Sequence, residues 1–366
     1  MRFPEFTEEW ELHRTTDYFE FKNGLNPEAK RFGYGTKFIS VMDILNNRYI
    51  TYDKVISSVQ LKENELNEFG VNYGDMLFQR SSETLEDVGR ANVYLDNTTA
   101  VFGGFVIRGK KIGNYNPLFF RYLLSSPNAR KSIIVKGAGA QHFNISQDGL
   151  SKVLLNVPSI QEQEKISQLI NYIDERIETQ NKIIEQLQSL IKGIVVSITA
   201  ETPNTRIDKC LVCHSTTLQE NQIEDFGDFP VYGANGICGY TVNADFNEPA
   251  ILIVKDGSGV GNVRFVNGKY SVIGTQNILT PQNKFCLKYI FYCLQTFNFM
   301  PYKTGMAIPH IYFKDYGKAK IYCPNFEQQV KIASQIDLIE SKIEIETQLL
   351  NKYEEQKKFL LSNMFI

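Results

Sequence analysis

The sequence predicts a mixed α/β (α+β) protein: two globular α/β halves separated by two long helices that form an antiparallel coiled coil, with internal pseudo-two-fold duplication. Three observations predict it. A ten-residue segment recurs at a fixed interval, each copy opens an apolar stripe spaced four and three, and similar short apolar runs precede both copies.

The recurring segment is Val157-Pro158-Ser159-Ile160-Gln161-Glu162-Gln163-Glu164-Lys165-Ile166, which returns as Cys323-Pro324-Asn325-Phe326-Glu327-Gln328-Gln329-Val330-Lys331-Ile332, 166 residues later. The interval then holds without a gap, pairing Ile170 with Ile336, Ile173 with Ile339, Ile177 with Ile343 and Glu178 with Glu344. Ser159 with Glu162, and Asn325 with Gln328, have the spacing of a helix capping box, each preceded by a proline that cannot disturb the helix. The first seam continues through Ile166, Ile170, Ile173, Ile177, Gln180, Ile184, Leu187, Ile191 and Ile194. The second runs Ile332, Ile336, Ile339, Ile343, Glu346, Leu350, Tyr353, Lys357 and Leu360, with a polar residue at the same step. A helix of about 38 residues is roughly 57 Å long. An apolar stripe of that length stays wet unless covered, so the two helices are expected to pack on each other.

Upstream, Gly89-Arg90-Ala91-Asn92-Val93 aligns with Gly259-Val260-Gly261-Asn262-Val263 at an interval of 170, which also pairs Asn97 with Asn267, Gly104 with Gly274, Tyr122 with Tyr292 and Leu124 with Leu294. An interval of 168 then pairs Gly137 with Gly305, His142 with His310 and Gly149 with Gly317. In each half, short strand-like runs precede an apolar helix (Leu118 to Leu124; Leu287 to Leu294), a Gly/His loop and a last strand. The expected boundaries are 1–157 and 199–322 for the globular halves, and 158–198 and 323–366 for the helices.

Composition narrows the function. The 366 residues suit two to three domains, and 43% apolar with 22% charged residues is the balance of a folded chain. A net charge of −2 and a pI near 6.2 do not suit a non-specific nucleic-acid coat, so any DNA contact must come from local patches. The polar, acidic opening lacks a secretory pattern and no apolar run approaches a bilayer span, so no membrane association and a cytoplasmic location are expected. Cys210-Leu-Val-Cys213-His214 imitates a haem or zinc motif, but no second half follows, and buried thiols are the simpler reading; no metal is expected. Gly257-Ser258-Gly259-Val260-Gly261 precedes a strand-like run, Val263 to Val266, instead of the helix a dinucleotide loop requires. No nucleotide-binding P-loop occurs, no Asp/Asn-Pro-Pro-aromatic run of adenine methyltransferases is found, and the four histidines are dispersed.

With these residues in view, the chain resembles the specificity (S) subunit of type I restriction-modification systems over nearly its whole length. The resemblance rests on Arg2-Phe3-Pro4-Glu5-Phe6-Thr7-Glu8-Glu9-Trp10 at the start, Phe229-Pro230-Val231-Tyr232-Gly233-Ala234-Asn235-Gly236-Ile237 entering the second half, and the P-x-x-x-x-Q-x-x-I element at Pro158 (Glu162-Gln163, Ile166) and Pro324 (Gln328-Gln329, Ile332). It implies two target-recognition domains, each reading one half of a bipartite asymmetric site in double-stranded DNA. It also implies two modification (methyltransferase) subunits carrying S-adenosylmethionine, and two restriction subunits adding ATP- and Mg²⁺-dependent translocation and cleavage. This chain would bind none of these cofactors and would be a non-catalytic targeting subunit. The second recognition domain, of about 125 residues, is compact for this pattern.

The internal comparison sorts candidates. Residues shared by both halves (Arg80/Lys255, Asn92/Asn262, His142/His310) suit fold or phosphate positioning, which carries no sequence information. Base readout is expected from unshared polar residues near the same loops: Ser81, Ser82, Arg90, Lys136 and Gln141 in the first half, and Asp256, Ser258, Gln276, Asn277 and Lys303 in the second. Ile166, Ile170, Ile173, Ile177, Ile184, Leu187, Ile332, Ile336, Ile339, Ile343 and Leu350 form the seam and subunit-docking set. The competing reading is a coiled-coil scaffold or adaptor without sequence-specific DNA binding.

Overall fold

The computed structural model describes residues 1–139, 142–223, 226–282, 284–306 and 308–365. They form two compact units: Met1–Asn181 with Gln348–Ile366, and Lys182–Thr347.

In the first unit a four-stranded antiparallel sheet runs in the order Phe19–Asn23, Val106–Lys111, Met76–Gln79, Ala91–Val93. A second sheet orders Ser58–Val59, Phe32–Ile39, Ala100–Phe102 and Gly70–Val71. Successive side chains of a strand point to opposite faces, so Met76 and Phe78 join the core beneath helix Pro117–Ser125, while Leu77 joins a core with Ile44, Tyr94 and Phe102. Both faces are covered, which is why this strand reads as an uninterrupted apolar run.

The second unit repeats the four-stranded sheet in the order Leu211–His214, Gln276–Pro281, Ala250–Val254, Val263–Val266. Ile251 and Ile253 pack on helix Leu287–Gln295, and Ala250 and Leu252 on Tyr270 and Val272. Its second sheet has three strands, Gly236–Thr241, Phe229–Gly233 and Ser271–Val272.

The long helices span Ile160–Thr199 and Phe326–Asn363. In the first unit Ile166, Ile170 and Ile173, early in the first helix, share a core with Leu360, Met364 and Phe365, late in the second. In the second unit the ends are exchanged: Ala333 and Ile336 share a core with Val195 and Ile198. Early residues meeting late ones is an antiparallel arrangement, seen within each unit separately. Ile177, Ile184, Leu187, Ile332, Ile339, Ile343 and Leu350 are half-buried, and the polar seam residues Gln180 and Glu346 are buried, the latter paired with Lys342.

In each unit the apolar helix is fastened to a long helix by the same chemistry. Gln163 Nε2 donates to the Pro158 carbonyl at 2.9 Å, and its Oε1 accepts from the Asn116 N–H at 2.9 Å, at the start of the apolar helix. Gln329 does the same with Pro324 at 2.7 Å and Cys286 at 3.0 Å. About three turns further along each long helix, the Tyr122 hydroxyl donates to Asp174 at 2.8 Å, and the Tyr292 hydroxyl donates to Glu340 at 2.8 Å and, a turn nearer, to Asp337 at 2.6 Å. Burial, reinforced by those carboxylates, pushes both phenols up, so they stay protonated donors. Asp174 also pairs with Lys357 at 2.6 Å, tying the two helices within the first unit.

Two sequence expectations are corrected. The reciprocal capping box at Ser159 is not made, because the carboxylate of Glu162 accepts two 2.7 Å bonds from the Arg2 guanidinium; at the second helix Asn325 Oδ1 does accept the Gln328 N–H at 2.9 Å. The register of the repeat also differs locally. Gly89 and Gly261, both at positive φ, donate their N–H to Gln79 and Val254 at matching strand positions, so the interval there is 172, not 170. Asn92 then corresponds to Arg264, and Arg90 to Asn262. The interval is 170 from Phe105/Thr275 through Tyr122/Tyr292. It is 166 from the bridges Ala138–Asn144 and Thr304–His310 onward, so His142 corresponds to Ile308 and His310 to Asn144, and the 168 stretch is not observed. Insertions fall in loops, where sequence identity is too sparse to locate them.

Gln163→Ala strips a buried N–H and a buried carbonyl of their partner and is expected to cost about 1–3 kcal/mol, as is Gln329→Ala. Urea unfolding of each variant measures this; no loss would show that these bonds do not fasten the domains.

Candidate nucleic-acid interface

In the first unit the central strand ends at Arg80, whose N–H donates to the Phe105 carbonyl and whose own carbonyl accepts from Ile145, both at 2.9 Å. Ser81–Ser82 then pairs antiparallel with Phe143–Asn144, and the loop between is closed by the bridge Ala138–Asn144. Lys136 follows the helix Pro127–Ile134 and is exposed. Arg80 and Lys136 line one open depression of about 480 Å³ with Asn23 and Asn144. Its acid, Asp148, is held by Lys152 at 2.6 Å. His142 is exposed on the closed loop, and Gln141 lies outside the described residues. Ser81 hydrogen-bonds Asn144, and Ser82 Oγ accepts from the Thr84 N–H at 3.3 Å. Arg90 is not part of this group; it pairs with Asp87 at 2.6 Å and lines a different cavity.

The second unit builds the same framework from different side chains. Lys255 N–H donates to Thr275 and its carbonyl accepts from Ile311, both at 2.9 Å, matching Arg80. Asp256 bridges His310, which closes the loop against Thr304 through bonds of 2.8 and 2.9 Å. Lys303 precedes that loop, and Ser258 is exposed on the adjacent glycine-rich turn. Lys255, Asp256, Lys303 and His310 are thus brought to one place.

Gln276 and Asn277 do not belong there. They are 1% and 5% exposed, and they donate to the Tyr232 carbonyl at 3.1 Å and the Tyr316 hydroxyl at 2.9 Å. The strand they begin is interior, so both amides face partners inside the domain. Asn92 is likewise structural, donating to the carbonyls of Ile44 at 3.0 Å and Asn47 at 2.7 Å, whereas Asn262 is exposed.

Sequence reasoning missed Asn144, the counterpart of His310, and the apolar tip of the second loop. Met306 and Ile308 there are wholly and 67% exposed. Extending the helix interval of 166 upstream by one loop finds Asn144; the apolar run Met306-Ala307-Ile308 between Gly305 and Pro309 was the sign of the tip.

Among the described residues no group of three or more His, Cys, Asp or Glu is placed to hold a metal, and no helix is long and apolar enough to cross a membrane. Cys210 and Cys323 lie in the second core with their sulfurs 3.8 Å apart.

Comparison with known proteins agrees with this duplicated architecture. The family model described as the type I restriction modification DNA specificity domain matches twice, over residues 7–189 and 211–355. The putative type I restriction enzyme MjaX specificity subunit of Methanocaldococcus jannaschii is 22% identical across 98% of this chain and 93% of its own length. The EcoKI specificity subunit of Escherichia coli K12 is 26% identical over 48% of this chain and 39% of its own length. The crystal structure of a type I restriction-modification S subunit from M. genitalium shares the fold with a TM-score of 0.64 at 16% identity, covering 100% of this chain and 99% of that one. A structure from work on assembly and conformational transition of the type I system aligns with a TM-score of 0.59 at 12% identity, covering 98% and 97%. Two matched domains, one per unit, each carried on a repeated helix, place the chain in the type I restriction-modification DNA specificity family, as a specificity subunit.

Proposed function

We propose that this chain is the non-catalytic DNA-reading subunit of a type I restriction-modification complex. Each recognition domain reads one half of a bipartite, asymmetric site in double-stranded DNA. The observation that carries this reading is that both units build the same strand-end and closed loop but fill them differently: Arg80, Ser81, Lys136 and Asn144 against Lys255, Asp256, Lys303 and His310. A shared frame with unlike side chains suits two different half-sites held in one orientation on the duplex. Arg80 and Lys255, at matching positions, suit phosphate contact, and the unshared groups suit base edges. The exposed Met306 and Ile308 suit apolar contact with thymine methyl groups.

The long helices set the unread spacer and dock two modification subunits. Those subunits hold S-adenosylmethionine and perform methyl transfer, while two restriction subunits use ATP and Mg²⁺. The family membership and the full-length fold likeness support this arrangement.

Replacing residues 1–157 with another recognition domain is expected to change one half of the methylated motif and leave the other intact, read by mapping methylated adenines across a host genome. Change in both halves would sink the one-domain-per-half assignment. Lengthening both long helices in step by one heptad is expected to alter the spacer and not the bases read; an unaltered spacer would remove the ruler.

Arg80→Gln and Lys255→Gln are each expected to weaken DNA binding uniformly across sequences. Each should lower the slope of log affinity against log salt by about 0.9, the release from roughly one phosphate. An unchanged slope in either variant would take that residue off the backbone.

A further inference from the structure

Outside the loops assigned to DNA, the first recognition domain contains an open cavity of about 410 Å³ lined by three arginines, Arg90, Arg121 and Arg130, and by one acidic residue, Glu86. We propose that this cavity is a binding site for a phosphate group, as a monoester or a diester.

Arg130 is the most constrained of the three. Its Nη2 donates to the carbonyls of Glu86 at 2.8 Å and Val88 at 2.7 Å, which fixes the plane of the guanidinium. Its Nη1 is buried and has no partner. Burial, with the like charge of Arg90 beside it, pushes Arg130 down to about 10, an unfavourable arrangement that a bound anion would relieve. Arg121 is held by Nε on Asn92 Oδ1 at 3.3 Å, and its nearest carboxylate, Asp174, is 3.7 Å from Nη1. Arg90 stands at the rim, its side chain 55% exposed and paired only with Asp87.

Arg90 and Arg121 have carboxylate partners, Asp87 and Asp174, but the buried Nη1 of Arg130 has none, and a planar donor so placed favours the oxygens of a phosphate, which guanidinium groups bind bidentately. The volume leaves room for an organic substituent on the phosphorus. The site is confined to the first domain. At the matching positions of the second, Arg90 is replaced by Asn262 and Arg121 by Phe291. The shared chemistry is the phosphate; its source is either a free nucleotide or the DNA backbone, and the inference does not depend on the DNA-reading assignment.

The test is calorimetric titration of the full chain with inorganic phosphate and with adenosine monophosphate, repeated on Arg90→Gln and Arg130→Gln. Binding to the native chain, weakened about tenfold in Arg90→Gln, is expected. Arg130→Gln removes a structural donor, so its melting temperature is measured alongside; Arg90→Gln leaves the interior untouched and carries the test if Arg130→Gln unfolds. No phosphate binding by the native chain, or equal affinity in Arg90→Gln, would overturn the site. Displacement of phosphate by duplex DNA identifies the backbone as the source, and its absence identifies a free phosphate ester. Phosphate binding that persists in a chain with no DNA affinity supports the cavity while removing the DNA-reading assignment.

Discussion

The construction depends on one buried side chain used twice. Gln163 and Gln329 each join the carbonyl of the proline that opens a long helix to the N–H that opens the apolar helix of a recognition domain. An amide can do both at once because it carries a donor and an acceptor at fixed separation. Neither a carboxylate nor an aliphatic residue of that size could replace it without leaving a buried polar group bare. The tyrosine-to-carboxylate bond about three turns on adds a second point of attachment, and two points fix a rotation where one would leave a pivot. A domain held at both points presents its loops in one orientation relative to the helix that carries it.

Much of this was legible in the residues. The helices announced themselves through four-and-three spacing over many turns, a periodicity that survives sequence divergence because it reflects burial of a continuous stripe. The glutamine lay inside the repeated segment, but its task was not visible, since its second partner is a backbone N–H far upstream whose position depends on the fold. The strand-to-strand register was misread in two places for a related reason. Hydrogen bonds count positions along a ladder, whereas identity between Gly89 and Gly259 or His142 and His310 counts letters. The positive φ shared by Gly89 and Gly261, and by Gly139 and Gly305, restores the correspondence, because that conformation belongs to a place in the chain path and not to a residue name.

The candidate interface divides along the same line. Arg80 and Lys255 occupy matching positions because each follows an apolar strand, a place the sequence displays. Gln276 and Asn277 were misplaced because a polar residue at a strand start looks the same whether it faces solvent or a buried tyrosine. The difference between the two units then becomes informative: the frame is held in common by hydrogen bonds from the main chain, so side chains at Ser81, Asn144, Asp256 and His310 are free to diverge without disturbing the fold.

The first unit draws its core from residues far apart in synthesis. Leu360, Met364 and Phe365 pack against Ile166, Ile170 and Phe119, and Trp10 meets both Phe119 and Phe365 edge-on. The second unit is one unbroken stretch. During translation the later-encoded unit therefore has everything it needs to close first, while the earlier one emerges with an apolar surface uncovered until the ribosome has delivered all of 182–347 and the helix beyond. The order in which the two cores have all their residues is thus the reverse of the order in which the units begin to emerge.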